Sequence, residues 1–451
     1  MSSSQLLASL EPPSIEQLRV LSDTLLSSIK SNLRDPNGTT MLPSYIHRLP
    51  NGQERGTALG VDLGGSTLRV AVIQLSGQGG GGSGSGIVDV LVRKSWSVTD
   101  DVKQLHGSAF FDWVAEKIEV VIAKANLRGT PLRVGLTWSF PIVQTSPESG
   151  TVQKMGKGFR THEGIEGTEL RIHFENALRR KNLRHVYLAS IVNDTTATLL
   201  THAYSHPQAR ISLICGTGVN AAVLVPVTCL AVEKLGRRPS SWTSVARNVV
   251  VNTECSMLGA GIFPTTSADS KLDSLSDKPG FQPFEQLTSG RYLGEVVRLN
   301  LEAAGLKLVD RWSLSTEMIA QLESADIDSA AIRAFKSTFG IDLEPSEVDF
   351  VSSICRAVAR RAAAYIAVMV YAFHRLQCGE LEGEQIRLAS VACCGAVIEK
   401  HPTLRSQCQE FLDALEGQRK ITLDIAHDSG LVGAGVAVLS SLEQDKESAK
   451  L

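Results

Sequence analysis

Apolar positions along the chain change from helical to strand-like spacing within the first sixty residues. At 14–33 they recur every three or four positions, which predicts an amphipathic helix that the turn-forming residues 35–38 bring to an end. A turn-rich stretch follows at 41–56. From Thr57 the apolar residues become dense, and 58–75 is predicted to be two β-rich pieces joined by a Gly-Gly-Ser turn.

The rest of the chain alternates strands and helices. We predict a strand or strand pair at 87–98, a strand ending in a turn at 132–142, a strand at 186–194 and a strand–turn–strand element at 211–225. Helical structure is predicted at 110–125, 195–204, 284–304 and 345–376, and strand–loop–helix units around 390–398 and 421–439. The strand–glycine turn–strand pattern of 58–75 recurs at 211–225. Alternation and recurrence together predict an α/β fold with two related halves.

Composition and charge narrow the class of protein. The 451 residues exceed one ordinary domain, so two lobes with a cleft are expected. The chain is 43% hydrophobic and 20% charged with a net charge of -2, and it has no basic block that would favour nucleic acid or a membrane surface. The longest apolar run, 362–373, is too short to span a bilayer and predicts a core helix. We therefore expect a soluble globular protein with no nucleic-acid partner and no membrane span.

Three further features predict little chemistry of their own. The eight cysteines show no CxxC pair and no His-spaced cluster, so we expect reduced, buried thiols rather than a metal site or disulfides. Residues 1–10 carry no basic residue before their short apolar pieces, which argues against a targeting signal. The segment 78–86 (QGGGGSGSG) has no apolar residue to bury and predicts a flexible surface loop.

The first candidate site is the glycine turn DLGGST at 62–67. Its glycines allow a tight turn whose N–H groups approach phosphate oxygens. Asp62, at the strand end, is placed to organise Mg²⁺ and its waters, and Arg69 adds positive charge. The turn lacks the lysine of a Walker A loop, and a strand follows it. The alternative is an ordinary hairpin turn with a solvated aspartate.

The second candidate is CGTGVN at 215–220. Gly216 and Gly218 again free the backbone, and Thr217 offers a hydroxyl. Two glycine turns on opposite sides of a cleft would clamp a triphosphate between them. Their recurrence therefore favours a nucleotide-binding protein over two unrelated hairpins.

The third candidate is IVNDTTAT at 191–198. A sugar hydroxyl is a poor nucleophile until a base accepts its proton, and an aspartate at a strand end can supply that base. The alternative is that Asn193 and Asp194 only cap the next helix. Other polar residues are persuasive only as a set, because each sugar hydroxyl both donates and accepts hydrogen bonds. They are Ser139, Lys157, Asn220, Glu254 and Glu285.

The sequence resembles the eukaryotic hexokinase family through nearly its whole length. The matching segments occur in the family's order: 41–56, LGVDLGGSTLRV at 59–70, SFP at 139–141, GKGF at 156–159, VNDTTATLL at 192–200, GTGVNA at 216–221, VNTE at 251–254, FEQLTSGRYLGEVVRL at 284–299, and the adenosine-side segments 312–326 and 394–402. A series of ordered matches is far more specific than any single motif.

This resemblance implies a fold and a domain division. The fold is the actin-like ATPase (ribonuclease H-like) fold, an α/β architecture with two lobes around a sugar/ATP cleft. The expected parts are an N-terminal helix and entry segment at 1–56, a small lobe at 57–194, a large lobe at 195–439 and a C-terminal helix or tail at 440–451.

The resemblance also implies site residues. Asp194 would be the general base for the 6-hydroxyl, and Lys157 would steady the transferring phosphoryl group. The implied sugar-binding residues are Ser139, Phe140, Lys157, Asn193, Asp194, Asn220, Glu254 and Glu285. The implied ATP-binding residues are Asp62, Gly64, Gly65, Ser66, Thr67, Arg69, Thr217, Gly218, Gly290, Arg291, Thr316, Gly395 and Ala396. Asp62 would also hold Mg²⁺ through water.

The implied activity is ATP- and Mg²⁺-dependent phosphorylation of a hexose at its 6-hydroxyl. The acceptor is a glucose-type hexose or N-acetylglucosamine, and the product feeds glycolysis or amino-sugar metabolism. The expected partners are the small-molecule sugar and ATP. The expected location is the cytosol, and the expected state is a monomer or weak dimer.

Several positions depart from the family's usual pattern. They are Gly156 for Thr, Ser66-Thr67 for Thr-Asn, Cys255-Ser256 for Trp-Gly, Ala396 for Ser, and an irregular last glycine motif at 428–431. A lost hydrogen bond costs about 0.5–1.5 kcal/mol, so a few such losses slow catalysis without abolishing it.

These departures leave three interpretations open. The first is an ordinary glucose-type hexokinase, and the second is an amino-sugar kinase in which the small Cys255 makes room for a 2-acetamido group. The third is a weak or inactive hexokinase-like sugar sensor or regulator. The presence of Asp194 and Lys157 favours an active enzyme. A chaperone-type ATPase of the same superfamily would leave the sugar motifs unexplained.

Overall fold

The structure is a computed structural model that describes residues 3–78, 86–306, 308, 310–324, 326–327, 329–380, 388–417 and 420–448. The chain forms two compact units, each built from non-contiguous stretches. Unit 1 comprises Met1–Leu42, Leu213–Val223 and Thr253–Ile425; unit 2 comprises Pro43–Ser212, Leu224–Asn252 and Ala426–Leu451. The division at residues 56, 194 and 439 stays a prediction. The predicted loop at 78–86 lies, apart from its two end residues, outside the described residues.

Strands and helices alternate along the described chain. The strands are β1 Leu42–Pro43, β2 Arg55–Leu63, β3 Thr67–Gln78, β4 Gly86–Ser97, β5 Leu132–Trp138, β6 Ile142–Ser146, β7 Ser149–Val152, β8 Val186–Val192, β9 Ala209–Cys215, β10 Val219–Pro226, β11 Asn248–Asn252, β12 Ala389–Cys394 and β13 Ile421–Ile425. The helices are α1 Ser3–Leu10, α2 Ile15–Arg34, α3 Asp100–Lys103, α4 Gly107–Lys124, α5 Leu170–Arg180, α6 Asp194–Ala203, α7 Val232–Leu235, α8 Ser240–Val245, α9 Ser267–Ser274, α10 Pro283–Thr288, α11 Gly290–Ala303, α12 Thr316–Leu322, α13 Ala330–Phe339, α14 Pro345–Glu380, α15 Ala396–Lys400, α16 Leu404–Glu416 and α17 Ser429–Ser448.

Unit 2 is organised around a five-stranded sheet of order β4-β3-β2-β5-β8. Strand β2 lies at its centre, antiparallel to β3 and parallel to β5. Alternate side chains of the central strands point to opposite faces. One face packs on α4 and α5 through residues such as Val61, and the other packs on α6 and α17 through residues such as Ile73. Both faces are covered, which explains the nearly continuous apolar run in β2.

Helix α17 approaches this sheet very closely because glycines line its path. A Cβ on Gly60 would lie 2.3 Å from the carbonyl oxygen of Leu431, and one on Gly135 would lie 1.9 Å from that of Ala434. No side chain larger than hydrogen fits at either position. The close approach brings the first turn of α17 to the end of β2, where Asp62 lies.

Unit 1 is dominated by the 36-residue helix α14, which packs on α2, α11 and α16. Its buried Arg361 makes two hydrogen bonds of 2.7 and 2.8 Å to the buried carboxylate of Asp269. In the same unit, β12 runs parallel to β13. Within the described residues, no helix combines the length and apolar character needed to cross a bilayer.

The α/β prediction is confirmed, as are the elements on which the candidate sites were placed. The predicted helical stretch 284–304 is confirmed, and the structure divides it into two helices. The break falls at Ser289, whose extended backbone (φ -96°, ψ 158°) ends α10 and precedes α11. Of the seven cysteines with described side chains, all are free thiols and six are buried.

Candidate active site

The first glycine turn joins β2 to β3 beside a buried acid. Gly64 donates its N–H to the carbonyl oxygen of Thr67 at 3.0 Å, which closes the turn. Asp62 lies opposite Arg69 in the antiparallel register, and the guanidinium donates to its carboxylate at 2.9 Å. Burial raises the pKa of Asp62, Arg69 lowers it, and the carboxylates of Asp194 and Asp428 raise it further. Asp62, Asp194 and Asp428 therefore lie close together beside the first glycine turn, within unit 2.

Lys157 crosses the first turn at Gly65. A Cβ on Gly65 would lie 2.8 Å from the Cδ of Lys157, so the missing side chain makes the crossing possible. The Nζ of Lys157 donates to the carbonyl oxygen of Ser139 at 3.2 Å and lies 5.4 Å from the ring centre of Phe140. Lys157 has a positive φ of 60°, which is uncommon for a residue other than glycine. The structure thus brings Ser139, Phe140, Lys157 and the first turn together.

Asp194 lies where β8 ends and α6 begins. Asn193 caps this helix, because its Oδ1 accepts from the N–H of Thr195 at 2.9 Å and from its hydroxyl at 2.7 Å. Burial raises the pKa of Asp194, while the charge of Lys157, the N–H of Thr195 and the hydroxyl of Ser139 lower it. The half-buried carboxyl is therefore a stronger base than an exposed aspartate, and it has a cation beside it. Capping describes Asn193, but it does not account for the surroundings of Asp194.

The second glycine turn joins β9 to β10 in unit 1, and Gly216 closes it by donating its N–H to the carbonyl oxygen of Gly218 at 2.9 Å. A Cβ on Gly218 would lie 2.6 Å from the Oε2 of Glu285. The same oxygen accepts from the N–H of Val219 at 3.1 Å. The carboxylate of Glu285 is therefore seated directly on this turn.

Two further predicted sugar residues meet next to this turn. Asn220 donates its side-chain amide to Glu254 Oε1 at 3.4 Å. Glu254 has a positive φ of 47°, which sets the direction in which the chain leaves β11. Asn220, Glu254 and Glu285 thus form one polar group within unit 1.

The predicted nucleotide-side residues surround the second turn. Gly290 donates its N–H to the carbonyl oxygen of Gly216 at 2.8 Å, and Arg291 donates to that of Thr217 at 3.1 Å. The hydroxyl of Thr316 donates to the carbonyl oxygen of Gly290 at 2.6 Å. The first residues of α11 are therefore hydrogen-bonded to the turn, and the first residue of α12 is hydrogen-bonded to α11.

Gly395 and Ala396 reach the same turn from the end of β12. Gly395 has a φ of 112°, and a Cβ there would lie 2.6 Å from the carbonyl oxygen of Cys215. A Cβ on Gly216 would lie 3.4 Å from the backbone nitrogen of Ala396. Only backbone fits between the two segments, so every predicted nucleotide-side residue of unit 1 contacts the turn or a neighbour of it.

The substitution at Cys255 does not open the expected space. Cys255 is fully buried and Ser256 is 2% exposed, so the volume usually given to the aromatic is filled. Burial also raises the pKa of the Cys255 thiol well above its ordinary value. The side chain of Cys255 therefore offers no room for an acetamido group.

The irregular motif at 428–431 lies against Asp62, a contact that the sequence did not predict. Asp428 takes a φ of 50° and its carboxylate lies 2.5 Å from Arg93. Gly430 follows so close to Asp62 that an added Cβ would lie 2.9 Å from its carboxyl carbon. Thr137 donates its hydroxyl to the carbonyl oxygen of Gly430 at 2.7 Å. The sequence signal for this contact was Asp428, which stands directly before the Ser-Gly start of α17. No sequence pattern pointed to Arg93 on the edge strand β4.

Asp62 has the chemistry to take part in a Mg²⁺ site. Its Oδ2 is paired with Arg69, and the carboxylate stands next to a turn suited to phosphate. Mg²⁺ keeps several waters and typically uses one or two carboxylates plus substrate phosphates. Among the described residues, no group of three or more His, Cys, Asp or Glu side chains could hold a metal alone. The fit is thus to a metal shared with phosphate and water.

An α/β architecture carrying two glycine turns, each surrounded by polar side chains, defines the class as the actin-like ATPase fold of sugar kinases. A hexokinase from Schistosoma mansoni complexed with glucose has this fold, with a TM-score of 0.78 and 24% identity, covering 98% of this chain and 100% of that one. A second hexokinase crystal structure gives a TM-score of 0.79 at 26% identity, covering 97% and 98%.

Family models described as Hexokinase match residues 5–204 and 210–440. The chain belongs to the hexokinase family. Human hexokinase HKDC1 is 28% identical over 91% of this chain, and rat hexokinase-3 is 29% identical over 94%. The matched regions are 44% and 45% of those two relatives, so the chain spans about half their length. N-acetylglucosamine kinase 1 of Candida albicans is 28% identical over 94% of this chain and 90% of its own length.

Proposed function

We propose that this protein is an ATP-dependent hexokinase that transfers the γ-phosphate to the 6-hydroxyl of a glucose-type hexose or of N-acetylglucosamine. The observation that carries the proposal is the surroundings of Asp194. Its pKa is raised by burial and lowered by the charge of Lys157, which crosses the first glycine turn, and by the hydroxyl of Ser139. Membership of the hexokinase family supports the same activity.

Asp194 acts as the general base. Its carboxylate accepts the proton of the 6-hydroxyl as that oxygen bonds to phosphorus, and the ADP oxygen leaves with the electron pair of the broken P–O bond. The raised pKa makes the carboxylate a better proton acceptor than an exposed aspartate. Ser139 orients the carboxylate through its hydroxyl.

Lys157 and the first turn serve the phosphoryl group. The ammonium of Lys157 stabilises negative charge on the transferring group. The backbone N–H groups of Gly65, Ser66 and Thr67 face its oxygens, while the N–H of Gly64 closes the turn. Arg69 holds Asp62 in place for Mg²⁺. Asp62 would hold Mg²⁺ through water, and the metal would supply positive charge at the phosphates.

Each unit supplies further residues that we propose as sugar or nucleotide contacts. In unit 2, Phe140 and the amide of Asn193 join Ser139, Lys157 and Asp194 as sugar contacts. In unit 1, Asn220, Glu254 and Glu285 bind sugar hydroxyls with fixed donors and acceptors. The nucleotide contacts of unit 1 are Thr217, Gly218, Gly290, Arg291, Thr316, Gly395 and Ala396.

The acceptor sugar is the finer part of the proposal. The relatives include proteins named hexokinase and one named N-acetylglucosamine kinase. Because Cys255 is buried, an acetamido group would have to be accommodated elsewhere in the sugar site. We propose that the protein acts in the cytosol, in line with its free buried thiols, as a monomer or weak dimer.

The test is ADP release by the purified protein with MgATP and each of glucose, mannose, fructose, glucosamine and N-acetylglucosamine. Material purified in parallel from host cells without the gene is the blank. Sugar binding is measured separately by calorimetry, and ³¹P NMR locates the phosphate on the product. We expect sugar-dependent turnover with a 6-phosphate product.

Two outcomes would overturn the proposal. Sugar binding without turnover for any sugar would make the protein a sugar sensor. Phosphate on a carbon other than C6 would contradict the placement of the base. Turnover with N-acetylglucosamine alone would retain the kinase and assign it to amino-sugar metabolism.

A further inference from the structure

Glu285 lies on the short helix α10 and reaches the second glycine turn with its carboxylate. Its Oε2 accepts from the N–H of Val219 at 3.1 Å, and a Cβ on Gly218 would lie 2.6 Å from the same oxygen. With 6 residues, α10 has less than two turns, and a helix of that length has little stability of its own. The residues packed around α10 must therefore fix the direction in which Glu285 points.

Apolar packing fixes the depth of α10 in unit 1. Phe284, which precedes Glu285, is fully buried, and its ring centre lies 5.3 Å from that of Phe263. The ring of Phe263 lies 4.9 Å from that of Tyr365 on α14, whose hydroxyl donates to the carbonyl oxygen of Pro264 at 2.9 Å. Apolar burial is not directional, so these contacts leave the rotation of α10 about its axis to be set by polar groups.

Gln286, which follows Glu285, supplies a directional contact. It is 6% exposed, and its amide donates to Asp273 Oδ1 at 2.9 Å and to the carbonyl oxygen of Phe281 at 3.1 Å. The same Oδ1 accepts from the N–H of Gly280 at 2.7 Å. Asp273 lies in the last turn of α9. One carboxylate oxygen of α9 thus binds both α10 and the segment that leads into it.

The segment entering α10 has a conformation that needs such support. Gln282, the last residue before the helix, has a φ of 52°, in the left-handed region that residues other than glycine rarely adopt. Strained backbone persists only where the surrounding structure determines it. Gly280 and Phe281, the two residues before Gln282, are the ones whose backbone groups bond to Asp273 and Gln286. The same network therefore fixes the entry to α10 and the residue next to Glu285.

We propose that Asp273 and Gln286 are positioning residues for Glu285 and that neither touches the substrate. A hydrogen bond from an amide to a carboxylate is directional and stronger than one between neutral groups, so it selects one rotation of α10. At that rotation Glu285 accepts from the N–H of Val219 and presents its carboxylate to a sugar hydroxyl. This inference rests on the proposed function, in which Glu285 is a sugar contact.

The test measures sugar binding to the full chain by calorimetry, beside steady-state kinetics with varied sugar. The variants are Asp273→Ala, Asp273→Asn and Gln286→Leu. The matched control is Asp424→Ala on β13. One oxygen of the half-buried Asp424 also accepts two hydrogen bonds, from the hydroxyls of Ser390 at 2.7 Å and Thr422 at 2.8 Å.

We expect Asp273→Ala and Gln286→Leu to raise the sugar Kd and KM roughly tenfold, because each breaks the bond that orients α10. Asp273→Asn keeps an oxygen that accepts both hydrogen bonds, so its sugar Kd should stay within about threefold of wild type. In every variant, kcat at saturating sugar and the affinity for MgADP should change by less than about threefold, since Asp273 and Gln286 are proposed to act on a sugar contact alone.

Urea unfolding of each variant separates positioning from general destabilisation. The inference is overturned if Asp273→Ala and Gln286→Leu bind sugar like the wild type, or if Asp273→Asn is impaired as much as Asp273→Ala. It is also overturned if Asp424→Ala, at an equal loss of stability, weakens sugar binding as much. Should Asp273→Ala not fold, Gln286→Leu, which is close in volume to the wild type, decides the question.

The wild type separates this inference from the proposed function. If the wild type binds no sugar with any of the five sugars, the proposed function fails as well. Normal sugar binding by the wild type, with Asp273→Ala and Gln286→Leu unaffected, fails this inference alone.

Discussion

The two glycine turns have the same local design but different neighbours. The first, between β2 and β3, is crossed by the cation Lys157 and flanked by the buried acid Asp62. The second, between β9 and β10, carries the carboxylate of Glu285 and bonds to the start of α11. In the proposed function, the cation at the first turn stabilises the transferring phosphoryl group, and the carboxylate at the second turn accepts hydrogen bonds from sugar hydroxyls. The local motif therefore defines the turn, and residues distant in sequence define what it does.

The largest effect on this comparison should come from Lys157→Met, which removes the cation from the first turn. We expect kcat to fall about 100-fold or more, because a fixed charge at the transferring group is lost. The sugar KM should change by a smaller factor than kcat, because Lys157 is one of several proposed sugar contacts and those of unit 1 are unaffected. Steady-state ADP release checks both. A kcat within fivefold of wild type would show that the first turn functions without its cation.

The paired variants Gly65→Ala and Gly218→Ala should separate the two turns. The added methyl displaces Lys157 in the first case and Glu285 in the second. Gly65→Ala should lower kcat, and Gly218→Ala should raise the sugar KM, each by roughly tenfold through loss of one charge-assisted contact. Steady-state kinetics with varied sugar measure the split. If both variants changed the same parameter, the distinction between the turns would be lost.

A smaller effect is expected in the pH dependence of kcat/KM. Turnover needs the carboxylate form of Asp194, so the rate falls as pH drops through its folded-state pKa. Lys157 and Ser139 both lower that pKa. Their removal should therefore move the acid limb to higher pH, further for Lys157→Met than for Ser139→Ala. If the acid limb of kcat/KM in both variants coincided with that of the wild type, a group other than Asp194 would set the pH dependence.

An effect on stability rather than on turnover is predicted at the end of the short helix α15, which begins at Ala396. Burial lowers the pKa of His401 to about 4 from 6.5. Between these values the unfolded chain binds a proton that the folded chain excludes, so stability falls as pH drops through this range. The loss approaches about 3 kcal/mol. In urea unfolding, His401→Gln should flatten this dependence, and a slope equal to that of wild type would contradict the assignment.

Much of this architecture could be predicted because its causes are local. The apolar spacing predicted β2, β3, β9 and β10, and the glycines between them predicted both turns. Asp194 was placed correctly at the junction of a strand and a helix. The break at Ser289 was missed because apolar residues continue in helical spacing on both sides of it.

The rest depends on residues far apart in the sequence. The crossing of Gly65 by Lys157 joins positions about ninety residues apart, and the ion pair of Arg93 with Asp428 joins positions 335 apart. Neither pairing has a local pattern, since each exists only after the strands and helices have packed. The positive φ of Trp312, 65°, likewise has no local pattern behind it, because the N–H of Trp312 donates to the buried carboxylate of Glu295 on α11.

The most direct test of the account is the effect of Asp194→Asn on turnover and on sugar binding, measured on the same preparation. Asparagine keeps the shape of the side chain and removes the base. We predict that kcat falls by roughly 10²- to 10⁴-fold while the calorimetric sugar affinity stays within about threefold. A variant that retained more than about a tenth of wild-type kcat would contradict the assignment of Asp194 as the base.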